Sequence, residues 1–387
     1  MRAGYLAPAK VVVLATFFFF PPFIMAQELP PLDIRGLWIV RESMVSRAEV
    51  DRALQFASEA GFNHVFVQVR GRGDAYYNSL IVPRTDRIRE RDFDPLGYAV
   101  SRGHELGLNV HAWMTTYLIW SARRPPENPA HVYNLHPEWL EVDADGNNHR
   151  DIDLGAPRDG SFEGIYLSPT HPEVNHYLQA VFTEVLLNYD IDGLHLDYCR
   201  YFDFDYGYNE EGIGIFRRRY EFDPRNLRSS QSGSGGGLSQ EGRQWADYRR
   251  KRVTDLLTAL HAIITISGKE ILLTSAVKPD TRVARNKYYQ DWAAWLRDGI
   301  LDYALPMNYA VRRADYRAGL DTVAEELPEH FRNDVIMGVA VYNQSSDEAA
   351  RKIQMARMLG YRAICVFSYD VFKTNLSRFD PVIRAFQ

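Results

Sequence analysis

The feature that most constrains this chain is a rhythm of eight short apolar runs, many of them rich in β-branched residues: Ile34–Val40, Phe62–Arg70, Leu108–Tyr117, Ile191–Tyr198, Glu270–Lys278, Leu301–Tyr309, Val335–Tyr342 and Arg362–Asp370. Helical patterns lie between them. Ser46 and Glu49 form a capping box that opens a helix ended by Gly61. Pro95–Leu106 reads as a second helix, ended by Gly107. Pro172 suits a first-turn position, and its helix runs to about Tyr189. Gln244–Ser267, Gln290–Asp298 and Ser346–Leu359 follow, the last two stopped by Gly299 and Gly360. Strands that alternate with helices predict α/β architecture: a single (β/α)8 TIM barrel, closed and parallel. An open doubly wound sheet produces the same alternation, but it usually carries a Gly-rich turn after its first strand. None follows Val40.

The length of 387 residues fits one such barrel with a leader and long loops. Arg2 and Lys10 flank the start of the apolar run Val11–Phe20, which is too short to span a bilayer comfortably, and Ala26 offers a cleavage point before Gln27. The expectation is a signal peptide over residues 1–26 and a single barrel domain over 27–387, hence a secreted or periplasmic protein with no stable membrane insertion after leader cleavage. An uncleaved anchor is the competing reading. No Cys follows the apolar run, so a lipoprotein anchor has no support. The only cysteines, Cys199 and Cys365, fall on different predicted strands and are expected as separate thiols. The net charge of −5 argues against a nucleic-acid partner. The 23 Tyr, 20 Phe and 7 Trp suit stacking on sugar rings, although a large barrel also buries many aromatics.

Two connections are long, one from Leu118 to about Ser168 after the third strand and one from Tyr201 to about Gln244 after the fourth. Both belong on the C-terminal face, where barrels carry their chemistry. Within the second, Ser229–Glu241 is low in complexity and reads as a tolerated surface insertion.

Carboxylates near strand ends are Glu42, Asp74, Asp197, Asp280 and Asp370; Asp192 and Asp302 sit at strand starts and read as turn or capping residues. The fourth strand is the most informative. Alternation puts Leu194 and Leu196 on one face and His195 and Asp197 on the other. Leucines suit the helix-packed exterior, so Asp197 should point into the barrel mouth, where it can be solvated or paired. Arg70 and Gln68 from the second strand, and His111 and Trp113 from the third, should converge on it, with Arg70 as its natural partner.

Glycosidic cleavage generally uses two carboxyl groups. Asp197 supplies one; Glu42, Asp370 and Asp74 are the candidates for the other, and assistance by a substrate N-acetyl group would remove the need for it. Lys278, Asn308, Tyr309, Tyr342 and Asn343 stand at strand ends as binders of sugar hydroxyls and acetamido groups. His111, His195 and Asp197 could be written as a metal trio, but the first strand lacks the paired histidines of metal-dependent barrel hydrolases. A buried histidine pair is preferred, and no metal or other cofactor is expected.

Arg35-Gly36-Leu37-Trp38, Gln68-Val69-Arg70 with Gly73-Asp74-Ala75, and Tyr189-Asp190-Ile191-Asp192-Gly193-Leu194-His195-Leu196-Asp197-Tyr198 followed by Arg200-Tyr201 resemble the glycosyl hydrolase-like 10 family. The resemblance implies a (β/α)8 barrel, export to the envelope and hydrolysis of glycan, which in some members is peptidoglycan stripped of peptides. It carries the strand-four acid onto Asp197 and adds Arg200 to the binding set. Family members often end this strand on two consecutive acids followed by Tyr-Arg-Tyr-Pro; here Tyr198-Cys199 follows Asp197, and Phe202 replaces Pro. Gly71-Arg72 stands where many have Pro-Ala. The resulting expectation is an exported O-glycosidase acting on a bacterial amino-sugar polymer such as peptidoglycan glycan strands. The alternative is a non-catalytic glycan-binding barrel of the envelope, and a third reading is a metal-dependent deacetylase or hydrolase. Linkage, stereochemical outcome and oligomeric state stay open.

Overall fold

The structure, a computed structural model, describes residues 29, 31–156, 162–227 and 238–387. The expected leader and most of the low-complexity insertion lie outside these residues.

Eight parallel strands form the barrel: β1 (Ile34–Ile39), β2 (His64–Arg70), β3 (Asn109–Thr115), β4 (Gly193–Asp197), β5 (Leu272–Val277), β6 (Tyr303–Pro306), β7 (Met337–Ala340) and β8 (Ala363–Phe367). Each pairs with the next from β1 to β6, β7 pairs with β8, and β8 returns to β1. The seam between β6 and β7 is thin. It is a parallel bridge between Ala304 and Val335, with Ile336 N–H donating to Ala304 O at 2.9 Å. The expected (β/α)8 barrel is therefore present.

The principal helices are α1 (Arg47–Glu59), α2 (Pro95–Glu105), α3 (Pro172–Asn188), α4 (Gln240–Ser267), α5 (Trp292–Arg297), α6 (Arg313–Glu326), α7 (Ser346–Met358) and α8 (Asp380–Arg384). Local chemistry sets most starts. The Ser46 side chain accepts from Glu49 N–H, and Asp94 accepts from Gly97 N–H ahead of Pro95. α4 begins four residues before the expected Gln244, because Ser239 caps it by accepting from Gly242 N–H. α6 is absent from the sequence reading. Its N-cap, Arg312, makes no side-chain cap bond, and it buries only Tyr316, Leu320 and Val323.

Strand alternation sorts the core into two layers. Leu194 and Leu196 join the large layer between strands and helices. Ile34, Trp38, Phe66, Trp113, Leu305 and Cys365 fill the barrel interior. A Cβ at Gly193 would stand 1.9 Å from His111 Nδ1, so only glycine lets that ring lie across β4. Both cysteines are buried and free. Among the described residues, no helix is long and apolar enough to cross a membrane.

The long loops fold over the C-terminal face. The β3 loop forms a small antiparallel hairpin, Leu118–Trp120 against Ile165–Tyr166, and the β4 loop carries a helix, Glu210–Tyr220. They are joined by a bridge between Asp143 and Tyr206 and by Thr170 Oγ1 donating to Gly207 O at 3.0 Å.

Candidate active site

Asp197 is the last residue of β4, and its side chain is turned into the barrel mouth, as alternation requires. It is 6% exposed. Oδ2 accepts from Trp113 Nε1 at 3.1 Å, and Oδ1 accepts from the Tyr198 backbone N–H at 2.7 Å. Tyr198 holds a left-handed conformation, φ 50°, as the chain leaves the strand. Burial pushes the carboxyl up from 3.8 to about 6, against the pull of the Tyr198 amide, the Arg200 charge and the Trp113 N–H.

A second carboxylate faces the same cavity. Glu163 stands in the β3 loop just before the hairpin strand Ile165–Tyr166. Its Oε2 accepts from Arg200 Nη2 at 2.6 Å and from the Tyr166 hydroxyl at 2.6 Å, while Lys278 Nζ lies 3.5 Å from Oε1. Burial works against its charge, but Arg200 and Lys278 outweigh it and hold the carboxyl below 4.5. Arg200 is 2% exposed, with its guanidinium over the rings of Tyr198 and Tyr288 at 5.0 and 4.9 Å.

The cavity measures about 410 Å³. Trp38, Trp113, Tyr309, Tyr342 and Phe367 form an aromatic wall; Asp197, Glu163, Arg200 and Lys278 supply the polar groups. That combination of flat apolar faces with a few convergent polar atoms suits a sugar ring. Tyr309 stacks on Phe367 at 5.5 Å, which fixes the wall, while Tyr342 is 54% exposed at the rim.

The structure brings together only part of the expected site. Asp197, Trp113, Arg200, Lys278, Tyr309 and Tyr342 meet in the cavity. Arg70 does not. The β2–β3 register shifts between Gln68 and Arg70, and the fully buried Arg70 guanidinium donates to the carbonyls of Thr115 and Thr116. Arg200 takes the place beside Asp197 that strand parity assigns to Arg70. His111 lies deeper, stacked on Phe66 at 4.4 Å and bonded to His64 at 2.9 Å. His195 is also below the cavity; it meets Thr274 Oγ1 at 2.9 Å and accepts from Trp38 Nε1 at 3.3 Å. Burial drives His195 down to about 3, so both ring contacts are those of a neutral imidazole. Asn308 turns away to donate to Tyr316 O, and Asn343 donates to Tyr309 O, so both support the walls rather than line them.

None of the three candidate second carboxylates lines the cavity. Glu42 pairs with Arg87 at 3.0 Å and Arg41 at 3.5 Å. Asp370 accepts from Val40 N–H at 2.7 Å and Ser43 Oγ at 2.6 Å, pinning β8 to the exit of β1. Asp74 accepts from the Arg72 backbone N–H at 3.1 Å, a turn-stabilising bond. The sequence reading missed Glu163, Trp38, Tyr198 and Phe367. Strand parity could have found Trp38, which shares a face with Gly36 and alternates with Leu37 and Ile39; Glu163 had no local signal.

The glycosyl hydrolase-like 10 family matches residues 33–356. The chain belongs to that family. Glycosyl hydrolase DigH of Escherichia coli (strain K12) is 26% identical over 337 residues, covering 75% of this chain and 68% of that protein. Glycosyl hydrolase YngK of Bacillus subtilis (strain 168) is 24% identical over 332 residues, covering 77% of this chain and 58% of that protein. In three dimensions the PgaB (BpsB) glycoside hydrolase domain from Bordetella bronchiseptica superimposes with a TM-score of 0.68 at 13% identity, over 92% of this chain and 99% of that domain. At that identity the likeness concerns the fold. This member of the glycosyl hydrolase-like 10 family is a glycan-processing barrel, and the cavity at Asp197 lies where such barrels place their sites.

Proposed function

We propose that the protein hydrolyses O-glycosidic bonds in an amino-sugar polymer of the bacterial envelope, with Asp197 as general acid and Glu163 as its ionised partner. One observation carries this reading: two carboxyls face a single cavity, and their surroundings move them in opposite directions, Asp197 up to about 6 and Glu163 below 4.5. A pair separated in this way can hold one proton donor and one anion at the same pH. Asp197 protonates the leaving oxygen. Glu163 either attacks the anomeric carbon or activates the water that does, and the anomer first released distinguishes the two. Lys278 and the phenols of Tyr198, Tyr309 and Tyr342 supply hydrogen bonds for hydroxyl and acetamido groups.

Peptide-free peptidoglycan strands are the first substrate to test, on the strength of the family resemblance. The charged and apolar pattern of residues 1–26 supports delivery to the periplasm or beyond. The test measures new reducing ends released by the full chain. Asp197→Asn should lower turnover about 10³-fold, and Glu163→Gln about 10²-fold or more, with the fold intact by circular dichroism. Saturable binding by the wild type with no new reducing ends would instead identify a glycan-binding barrel.

A further inference from the structure

Beside the Asp197 cavity, on the same face, lies a smaller cleft of about 190 Å³ built by the loops after β1, β2 and β3. Four arginines line it, Arg41, Arg72, Arg84 and Arg87, against three acids, Asp74, Asp86 and Glu127. The arginines are not equally engaged. Arg84 donates to the carbonyls of Glu90 and Phe93. Arg87 and Arg41 share Glu42. Arg72 donates from Nε to Ser121 Oγ at 2.9 Å and, among the described residues, forms no ion pair. Burial and the nearby charges of Arg41 and Arg87 disfavour its charged form and outweigh the opposing pull of Asp74 and Glu42. A guanidinium withdrawn from water among like charges is an arrangement that an incoming anion relieves.

Two further features define the ligand. The Trp120 ring lines the cleft, with Arg72 Cζ 6.0 Å from its centroid, so a stacking face and a guanidinium lie side by side. The three acids, with the Glu42 shared by Arg41 and Arg87, offset much of the positive charge, so a singly charged carboxylate fits better than a doubly charged phosphate monoester. Arg41 lines this cleft and acts electrostatically on Tyr198, which walls the first cavity, so the two sites are neighbours.

We propose that Arg72, with Arg41 and Arg87, forms a subsite for a carboxylate carried by a sugar near the one held at Asp197, with Trp120 as the platform for that sugar's face. The inference rests on the glycosidase reading for its register along the chain. The carboxylate could hang from an ether side arm or belong to the ring itself, as in a uronic acid.

Binding measured on the full-length Asp197→Asn protein separates these sources without turnover. The probes are three tetrasaccharides: N-acetylglucosamine alternating with N-acetylmuramic acid, N-acetylglucosamine alternating with glucuronic acid, and the neutral N-acetylglucosamine oligomer. One acidic probe should bind at least about 10-fold tighter than the neutral one, and the tighter of the two names the source. That preference should fade in high salt and vanish when the carboxyls are reduced to alcohols. Adding Arg72→Met should bring acidic and neutral probes within about twofold of each other; Arg72→Lys should retain part of the preference, and Arg87→Gln, at an exposed position, should weaken it. Equal binding of acidic and neutral probes by the parent, or an unchanged preference in the folded Arg72→Met protein, overturns the subsite. An Arg72-dependent preference in a protein whose wild type releases no reducing ends would refute the glycosidase reading and leave the subsite standing.

Discussion

Two aspartates stand five positions apart at opposite ends of one strand of this barrel and live in opposite circumstances. Asp192, at the entry of β4, accepts from the Val110 backbone N–H at 2.6 Å and meets His104 at 2.8 Å, with its side chain 31% exposed. Asp197, at the exit, is 6% exposed and has only the Trp113 indole and its neighbour's amide. The entry acid serves the ladder: it occupies a backbone donor of the adjoining strand that the sheet leaves over. Its neighbours do likewise. Asn63 accepts from Arg35 N–H at 2.7 Å and Asp302 from Leu273 N–H at 2.7 Å, so the lower rim repeats one device. The exit acid serves no ladder and is costly to keep charged. On the proposed mechanism, stability sits at one end of the barrel and reactivity at the other.

The largest effects should come from the exit. The proposed hydrolysis requires Asp197 protonated and Glu163 ionised, so kcat/KM should fall as pH rises past about 6 and again as pH drops through the lowered Glu163 value, below 4.5. Trp113→Phe deletes a donor to the charged carboxylate and should move the upper limb to higher pH; a limb that does not move would remove Asp197 from the acid role. The same residue gives the opposite sign in stability. A carboxyl raised from 3.8 to about 6 in the native state loses stability as pH climbs through that window and stays costly above it. Asp197→Asn should therefore be nearly inactive yet more stable at pH 7 to 8, by up to about 3 kcal/mol. Lower stability on thermal melting would contradict the desolvation account.

This division was legible in part. Period-two alternation placed Asp197 and Leu196 on opposite faces, and Asp192 and Asp302 were read as rim residues from position alone. Arg70 was misread because parity counting presumes an unbroken ladder, and the shift after Gln68 turns Arg70 into register with Met114, whose side chain faces the helices. Asn308 was misplaced because the chain leaves β6 in tight turns that aim its amide at α6. Glu163 could not be found at all. Its position depends on the hairpin that folds the β3 loop back over the mouth, a tertiary event with no local pattern around Phe162-Glu163-Gly164.

Glu141 sharpens the comparison, since it is buried like Asp197 but sits in the loops away from the cavity. Its Oε2 accepts from Ser168 Oγ at 3.0 Å and Gly207 N–H at 3.1 Å, joining the β3 and β4 loops. Burial raises it from 4.5 to about 8, more than Asp197, so a raised carboxyl is not by itself a mark of catalysis. Because the native value is the higher one, its contribution to stability falls as pH climbs above 4.5 and levels off past about 8. Glu141→Gln keeps an acceptor for both partners and removes the titration. Between pH 6 and 8 the variant should lose about 2 kcal/mol less than wild type in denaturant melts, with reducing-end release unchanged. An activity loss as large as that of Asp197→Asn would mean that depth of burial, not the end of the barrel, selects the working acid.

The smallest effect tests the entry end. Asp192→Asn retains an oxygen for the Val110 N–H and gives up only charge toward a partly exposed histidine, so it should cost about 0.5–1 kcal/mol. Asp192→Ala leaves that N–H without its partner and should cost about 1–3 kcal/mol. In both variants kcat/KM per folded molecule should match wild type, because the strand between the two acids is tied along its length to β3 and β5. A fall in kcat/KM in the alanine variant, with melting barely changed, would show that slack at the strand entry reaches Asp197. The two ends would then act as one lever, and the separation of stability from reactivity along β4 would fail.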